Sequence, residues 1–169
     1  VFAQMMNQYA ATLGMANSQF QNATGLPDEN HYSTARDLAT LAQAIISEFP
    51  EYYRWYSVKE YEYNGIAQNN RNTLLWRDPS VDGMKTGRTD EAGYCLVSSA
   101  ERDGMRIITV VLGTASEKSR ISGSQALLNY GFRFFETRLL YRASEKVADA
   151  RIWKAEKELT ELGVANDLY

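Results

Sequence analysis

The chain has 169 residues, enough for one domain or for a large piece of one with the start of another. With 44% hydrophobic and 23% charged residues its composition is that of an ordinary globular protein, which argues against disorder over most of the length. The formal net charge is −3 and Arg and Lys are scattered rather than banked, so no nucleic-acid partner is indicated; no apolar run approaches the roughly 20 residues that span a bilayer.

The opening run Val1-Phe2-Ala3-Gln4-Met5-Met6 starts directly on a helical pattern with no cap before it, which reads as a chain whose beginning lies upstream. The end at Tyr169, straight after Leu162-Gly163-Val164, has no terminating element and reads the same way. On that expectation the missing targeting signal says nothing about compartment. Phe2, Met5, Met6, Tyr9, Ala10 and Leu13 recur at helical spacing and Gly14 is a natural stop, predicting a helix over 1–14. Residues 15–33 have no period, and hold Asn17, Ser18, Asn22, Gly25, Pro27, Asp28, Asn30 and Ser33. Such a stretch is either packed down by its own side chains or part of a site wall.

Thr34 is placed as an N-cap with Asp37 at the third helical position, close to a capping box with Asp in place of Glu. Leu38, Leu41, Ala42, Ile45, Ile46 and Phe49 follow at helical spacing and Pro50 stops the element, predicting a helix over 35–48. The aromatic-rich 51–57 is a short helical turn. Residues 58–64 alternate as a strand with Tyr61 and Tyr63 on one parity, Asn64-Gly65 is a hairpin turn, and Ile66 begins the return strand. The run Gln68-Asn69-Asn70-Arg71-Asn72 is too rich in amides for a core.

Gly83 to Gly87 is predicted extended, Gly93 to Ala100 and Met105 to Gly113 as strands, and Asp103-Gly104 as the hairpin turn between the last two. Ser119 to Phe135 returns to helical period, with Ile121, Ala126, Leu127, Tyr130 and Phe134 on one broad face. Strand, strand, strand, helix gives an α+β fold, an antiparallel sheet with packed helices. After Phe135 the texture changes: Leu139 to Val147 is strand-like, Val147 to Lys157 is a strand pair turning near Ala155-Glu156-Lys157, and a boundary is expected near Arg138.

Chemistry concentrates around Lys85-Thr86-Gly87, inside Val81-Asp82-Gly83-Met84-Lys85-Thr86-Gly87-Arg88-Thr89. A cation followed by a hydroxyl suits a carboxylate, and glycine at positions 83 and 87 permits close approach of a ligand to the backbone. Strict alternation puts Lys85 and Thr86 on opposite faces, so both reach one ligand only from an edge strand that is twisted or bent. The alternative is a lysine at a strand rim beside a turn. Arg71 offers a planar donor fork for a carboxylate, or else pins its loop through backbone carbonyls. Asp82 and Asp90 either anchor local charges or sit in turns. His31, the one histidine, lies in a loop and is read as surface or loop packing, so an imidazole zinc site is not expected. Cys95, the one cysteine, excludes an intrachain disulfide and is read as strand packing. Asn22-Ala23-Thr24 matches a glycosylation sequon weakly.

Taken in order, a set of segments carries a family resemblance: Leu13-Gly14-Met15 with Phe20 and Gly25-Leu26, then Tyr32-Ser33-Thr34-Ala35-Arg36-Asp37-Leu38. It continues through Asn69-Asn70-Arg71-Asn72, Leu75-Trp76, Val81 to Gly87, Thr89-Asp90, Ala92-Gly93-Tyr94 and Gly131-Phe132-Arg133-Phe134-Phe135-Glu136. The chain resembles the low-molecular-weight penicillin-binding proteins, the D-alanyl-D-alanine carboxypeptidases of bacterial cell walls. The resemblance implies a β-lactamase/transpeptidase-like fold, with residues 1–138 as the C-terminal part of the catalytic domain and 139–169 as the start of a β-rich second domain. It also implies a serine acyl-transfer enzyme without cofactor or metal. A serine in Ser-x-x-Lys attacks the carbonyl between two terminal D-alanines of a peptidoglycan stem peptide, and β-lactams acylate the same serine.

On these positions the resemblance makes Lys85 a source of positive potential and a participant in proton transfer. Thr86 would bind the substrate carboxylate with Arg71 reinforcing it, and Gly87 would keep the wall open. The backbone N–H of Arg88 would be one oxyanion donor. Some relatives carry histidine where this chain has Arg88. Neither Ser-x-x-Lys nor a convincing Ser-x-Asn occurs: Ser116-Glu117-Lys118 has the wrong spacing, and Ser119 and Ser122 fall in the late helix. The expected partners are therefore a stem peptide ending in D-Ala-D-Ala, β-lactams, and a complementary N-terminal segment carrying both motifs. The expected setting is periplasmic and inner-membrane associated. Three rival readings stand beside this one: a class A β-lactamase-like hydrolase, a non-catalytic peptidoglycan-binding scaffold, and a purely structural reading with Lys85 and Arg71 as surface residues.

Overall fold

Local rules set the first elements of the computed structural model, which describes residues 1–169. Helix α1 (Phe2–Thr12) buries only Ala10, and Phe2, Met5 and Tyr9 stay exposed. The irregular stretch after it is packed down by its own Asn22 and by side chains of the flanking helices. Asn7 brackets Phe20, accepting from its N–H at 2.7 Å and donating to its carbonyl at 2.8 Å. Gln19 and Tyr32 exchange backbone hydrogen bonds, and the Asn22 side-chain carbonyl accepts from the N–H groups of Thr24, Gly25 and Leu26.

Helix α2 (Ala35–Glu48) starts where the cap predicts, with the Thr34 hydroxyl accepting from the Asp37 N–H at 3.2 Å. The reciprocal half of the capping box is absent. Asp37 is buried and turns its carboxylate to the 15–33 stretch, accepting from Asn17 N–H at 2.8 Å and from the Ser18 hydroxyl at 2.7 Å. The Ser18 bond, against the opposing effect of burial, lowers the Asp37 pKa.

Pro50 opens a short helix α3 (Pro50–Tyr53) continued by a 3-10 turn over Arg54–Ser57. Strands β1 (Glu60–Tyr63) and β2 (Ile66–Asn69) then pair through Asn64 at φ 52° and Gly65 at φ 74°. Both central residues of a type I′ turn need positive φ, and Asn-Gly supplies it. Every residue of this hairpin's two strands is exposed.

The amide-rich run corrects the sequence reading, because part of it is core. Asn72 is fully buried, its amide donating to the Gly83 carbonyl at 3.0 Å and its side-chain carbonyl accepting from Leu74 N–H at 3.3 Å. Asn70 donates to the carbonyls of Tyr56 and Val58. Amides can enter a core when each polar atom finds a partner, and here the partners are backbone groups. A one-turn helix α4 (Leu74–Arg77) follows and buries Leu74 and Leu75.

Strands β3 (Val81–Thr89), β4 (Gly93–Arg102) and β5 (Met105–Thr114) form an antiparallel sheet in that order, with β3 at one edge. Asp103 at φ 49° and Gly104 at φ 77° make the turn between β4 and β5. Two apolar clusters lie on the two faces, as neighbouring strand residues divided between them show. Leu96 packs with Leu74, Leu75, Val81, Ala100, Ile121 and Leu128, whereas Val97 packs against Ala42, Tyr53 and Met84. Asp78, just before β3, is buried and accepts from Arg102 at 2.7 Å and from Gln125 at 2.9 Å, and binds Ser80 through both hydroxyl and N–H.

Helix α5 (Glu117–Phe134) buries Arg120, Ile121, Ser124, Leu128 and Gly131. The face named from sequence is therefore rotated from the true one: Ile121 belongs to the core, but Leu127, Tyr130 and Phe134 are exposed. Large apolar side chains outvoted small and charged ones in the periodicity, and the buried stripe is the one with Arg120, Ser124 and Gly131 in it. At Gly131 a Cβ would lie 2.3 Å from Ile107 Cδ1, so a larger residue there would displace the end of that side chain.

By backbone contacts the chain divides into Val1–Phe134 and Phe135–Tyr169. In the second unit β6 (Lys146–Arg151) pairs antiparallel with β7 (Leu159–Gly163). The strand expected over 139–147 is reduced to one bridge, Tyr141 with Leu168, and the return strand begins after the turn placed from sequence. Lys146 pairs with Asp149 on its own strand at 2.8 Å and with Glu161 across the hairpin at 3.3 Å.

Candidate active site

The extended segment expected over Gly83–Gly87 lies within the edge strand β3, whose outer side has no neighbour in the three-stranded sheet. An irregularity falls between Val81, opposite Ala100, and Gly83, opposite Ser99, leaving Asp82 as an extra residue. Such a bulge bends a strand and re-aims the side chains beyond it. Past the bulge, Lys85 stands opposite Val97 and Thr86 opposite Leu96. Lys85, Thr86 and Gly87 nonetheless all line one groove of about 290 Å³, floored by Leu38, Leu41, Ala42 and Ile45 of α2 and by Met84, Val97 and Leu112. The edge position is the one that strict alternation requires of a strand whose adjacent side chains are to share a ligand.

Lys85 is exposed and its ammonium donates to the Thr86 carbonyl at 2.6 Å, a local bond that a ligand can replace without uncovering a buried charge. Arg71 is exposed and outside the residues lining the groove, and it makes no ion pair or hydrogen bond. The loop-pinning alternative for Arg71 thus falls to Asn70 and Asn72. The Arg88 side chain points away from any buried role, pairing loosely with Asp90 at 3.5 Å and lying 5.0 Å from the Tyr94 ring centroid.

Asp82 anchors the strand rather than sitting idle in a turn. It accepts from the Tyr53 hydroxyl at 2.7 Å and is paired with Arg106 at 2.8 Å. Arg106 also donates to Ser99 at 2.7 Å and pairs with Glu101. Burial of Tyr53 raises its phenol pKa, with the Asp82 charge adding to the rise, so the hydroxyl remains a donor. Gly83 is correspondingly a packing glycine. A Cβ there would lie 2.6 Å from the Tyr53 hydroxyl, so the residue makes room for that tyrosine, not for a ligand. Gly87 differs, since a Cβ would meet only Cys95 Cβ, at 3.7 Å.

His31 is a loop-packing residue, its Nδ1 accepting from Gln21 N–H at 3.5 Å and its ring edge-on to Phe20. Cys95 is half-buried, donates to the Ala92 carbonyl at 3.3 Å, and shares the groove wall with Gly87, a position that the apolar texture of its strand concealed. Sequence reasoning also missed the Tyr53–Asp82–Arg106 anchor and Arg120. The second carried no apolar signal, because positions 120, 124, 128 and 131 hold Arg, Ser, Leu and Gly.

Residues 1–116 match the family described as D-alanyl-D-alanine carboxypeptidase. The chain belongs to that family. It is 44% identical over 169 residues to the D-alanyl-D-alanine carboxypeptidase DacA of Escherichia coli K12, covering 99% of this chain and 42% of that relative. Penicillin-binding protein 5 of Haemophilus influenzae superposes with a TM-score of 0.89 at 42% identity, covering 98% of this chain and 49% of that one. Penicillin-binding protein D2 of Listeria monocytogenes, in its ampicillin-bound form, gives a TM-score of 0.73 at 36% identity over 78% of this chain and 55% of that one. This carboxypeptidase-family chain thus spans less than half the length of the Escherichia coli relative. The mixed helix and antiparallel-sheet fold is that of the penicillin-binding proteins and transpeptidases. No helix is long and apolar enough to cross a membrane.

Proposed function

We propose that this chain forms the Lys-Thr-Gly wall of the active centre of a serine D-alanyl-D-alanine carboxypeptidase that β-lactams inhibit. The observation that carries the reading is that Lys85, Thr86 and Gly87 all line one groove at a sheet edge. Thr86 hydrogen-bonds the free carboxylate of a stem peptide ending in D-Ala-D-Ala, and the unpaired Arg71 swings onto the same carboxylate. Lys85 supplies positive potential beside the nucleophile. The Arg88 N–H donates to the carbonyl oxygen as it becomes an oxyanion.

The nucleophile comes from a complementary N-terminal segment carrying Ser-x-x-Lys and Ser-x-Asn. Its serine adds to the carbonyl, D-alanine leaves with a proton, and water cleaves the resulting ester. Residues 1–138 complete the penicillin-binding domain with that segment, and 139–169 open a β-rich domain. The protein works on the outer side of the cytoplasmic membrane, in the periplasm and associated with the inner membrane. Ampicillin bound to the Listeria relative supports the β-lactam part of the reading.

The test mixes this chain with the complementary segment and a fluorescent penicillin. Covalent label should appear on the segment only, and D-alanine should be released from a stem pentapeptide by the mixture. Label on residues 1–169 alone would defeat the proposal.

A further inference from the structure

Val81 and Lys85 lie four residues apart on β3, so regular alternation would put both on one face of the sheet. The pairing puts them on opposite faces. Val81 stands opposite Ala100, and both belong to the apolar cluster around Leu96. Lys85 stands opposite Val97, which packs into the other cluster with Ala42, Tyr53 and Met84. Four steps along β3 match three along β4, and Asp82 is the residue in excess. One unmatched residue exchanges the faces of everything beyond it. Without it Lys85 would fall on the face that packs against Ile121 and Leu128 of α5, away from the groove floored by α2.

Backbone bonds alone do not choose where an unmatched residue sits, because every peptide offers the same donor and acceptor. With glycine at 83 and 87, β3 also specifies its register weakly through its own side chains. The choice is made at the Asp82 carboxylate. Its Oδ1 accepts from the Tyr53 hydroxyl at 2.7 Å and from Arg106 Nη1 at 2.9 Å, and the same nitrogen lies 2.8 Å from Oδ2. Tyr53 comes from α3 and Arg106 from the start of β5, so both donors reach the bulge from elements that do not pair with β3. Arg106 also donates to the Ser99 hydroxyl at 2.7 Å, and Ser99 is the residue opposite Gly83, where the shifted register begins.

We infer that Asp82 is a positioning residue for Lys85: Tyr53 and Arg106 fix the unmatched residue at position 82, and the strand phase that follows presents the Lys85 ammonium to the groove. This rests on the role proposed for Lys85. Asp82 touches no substrate and acts through the direction in which the strand sends its side chains. Three groups distant in sequence thus decide which face of β3 carries the charge.

The experiment uses the full-length protein with Asp82→Ala and Tyr53→Phe, with folding checked by thermal unfolding. The readouts are the rate of acylation by a fluorescent penicillin and the nuclear Overhauser effect between the Val97 methyls and the Lys85 side chain. Residues paired across antiparallel strands share a face with Cβ atoms about 5 Å apart, so the parent should show that contact. Asp82→Ala should weaken it and slow acylation about ten- to a hundredfold, the scale of a misplaced catalytic group. Tyr53→Phe removes only the hydroxyl. It should act in the same direction by about three- to tenfold, and it carries the test if Asp82→Ala does not fold. A contact unchanged in a folded variant overturns the inference even if the rate falls, because a general loss of stability does not re-aim one side chain. A weakened contact with acylation at the parent's rate overturns it too. If the unaltered protein forms no acyl-enzyme, or Lys85→Ala acylates as fast as the parent, it is the proposed function that fails instead.

Discussion

The side-chain amide of Asn72 donates to the Gly83 carbonyl at 3.0 Å, joining the segment that carries Arg71 to the strand that carries Lys85. Both ends of this bond are buried. Asn72→Leu leaves the Gly83 carbonyl and the Leu74 N–H without partners, and should lower the unfolding free energy by about 2–3 kcal/mol. Urea denaturation of the isolated chain measures this. A change within error would mean that the amide does not hold the two segments together.

The two glycines of the site strand should separate stability from activity. Gly83→Ala drives a methyl to 2.6 Å from the Tyr53 hydroxyl and should destabilise by about 1–3 kcal/mol. Adding Tyr53→Phe removes that oxygen but leaves ring carbons at 3.2 and 3.3 Å, so rescue should be partial and the two changes non-additive. Gly87→Ala meets only Cys95 Cβ at 3.7 Å and should unfold at the same temperature as the parent while acylating more slowly in the complete protein. Differential scanning fluorimetry beside penicillin labelling resolves the three cases.

Lys85→Ala should remove D-alanine release and penicillin labelling from the complete protein by at least about a hundredfold. The side chain is exposed and bonded only to the next residue's carbonyl, so the melting temperature should stay within a few degrees of the parent. Retained activity would return Lys85 to the role of a strand-rim lysine.

Acid should act through Asp78. Burial pushes its carboxyl up, but bonds from Ser80 and Gln125 and the charge of Arg102 outweigh that and hold it at about 2. A carboxyl depressed by folding stabilises fully above its unfolded pKa near 4 and loses that contribution as pH falls towards its folded value. The amount at stake is about 2 kcal/mol. Urea midpoints measured from pH 6 to pH 2 should fall most steeply below pH 4, and Asp78→Asn should flatten that part of the curve. Parallel curves for the two proteins would assign the acid sensitivity elsewhere.

Elements governed by local chemistry could be read from the sequence. Thr34 as a cap, Pro50 as a stop, and Asn64-Gly65 and Asp103-Gly104 as hairpin turns each act over a few residues, and each stands where expected. The edge position of Lys85-Thr86-Gly87 follows from the requirement that adjacent side chains share one ligand. Failures came where a long-range partner overrides composition. Asn72 looks like loop until Gly83 arrives to accept its amide, and Gly83 looks like a ligand contact until Tyr53 fills the space above it. Arg120 was passed over because a cation on a helix is normally a solvated one. Only the sheet beneath α5 reveals that its stripe of small residues, and not the aromatic one, faces inward.

The hairpin of β1 and β2 has no inward face, and Asn70 ties its base to the carbonyls of Tyr56 and Val58. The knot lies between the arm and Arg71. Residues 64 and 65 are consequently a place to splice an epitope or a fluorophore into the chain, since the strands they join bury no side chain.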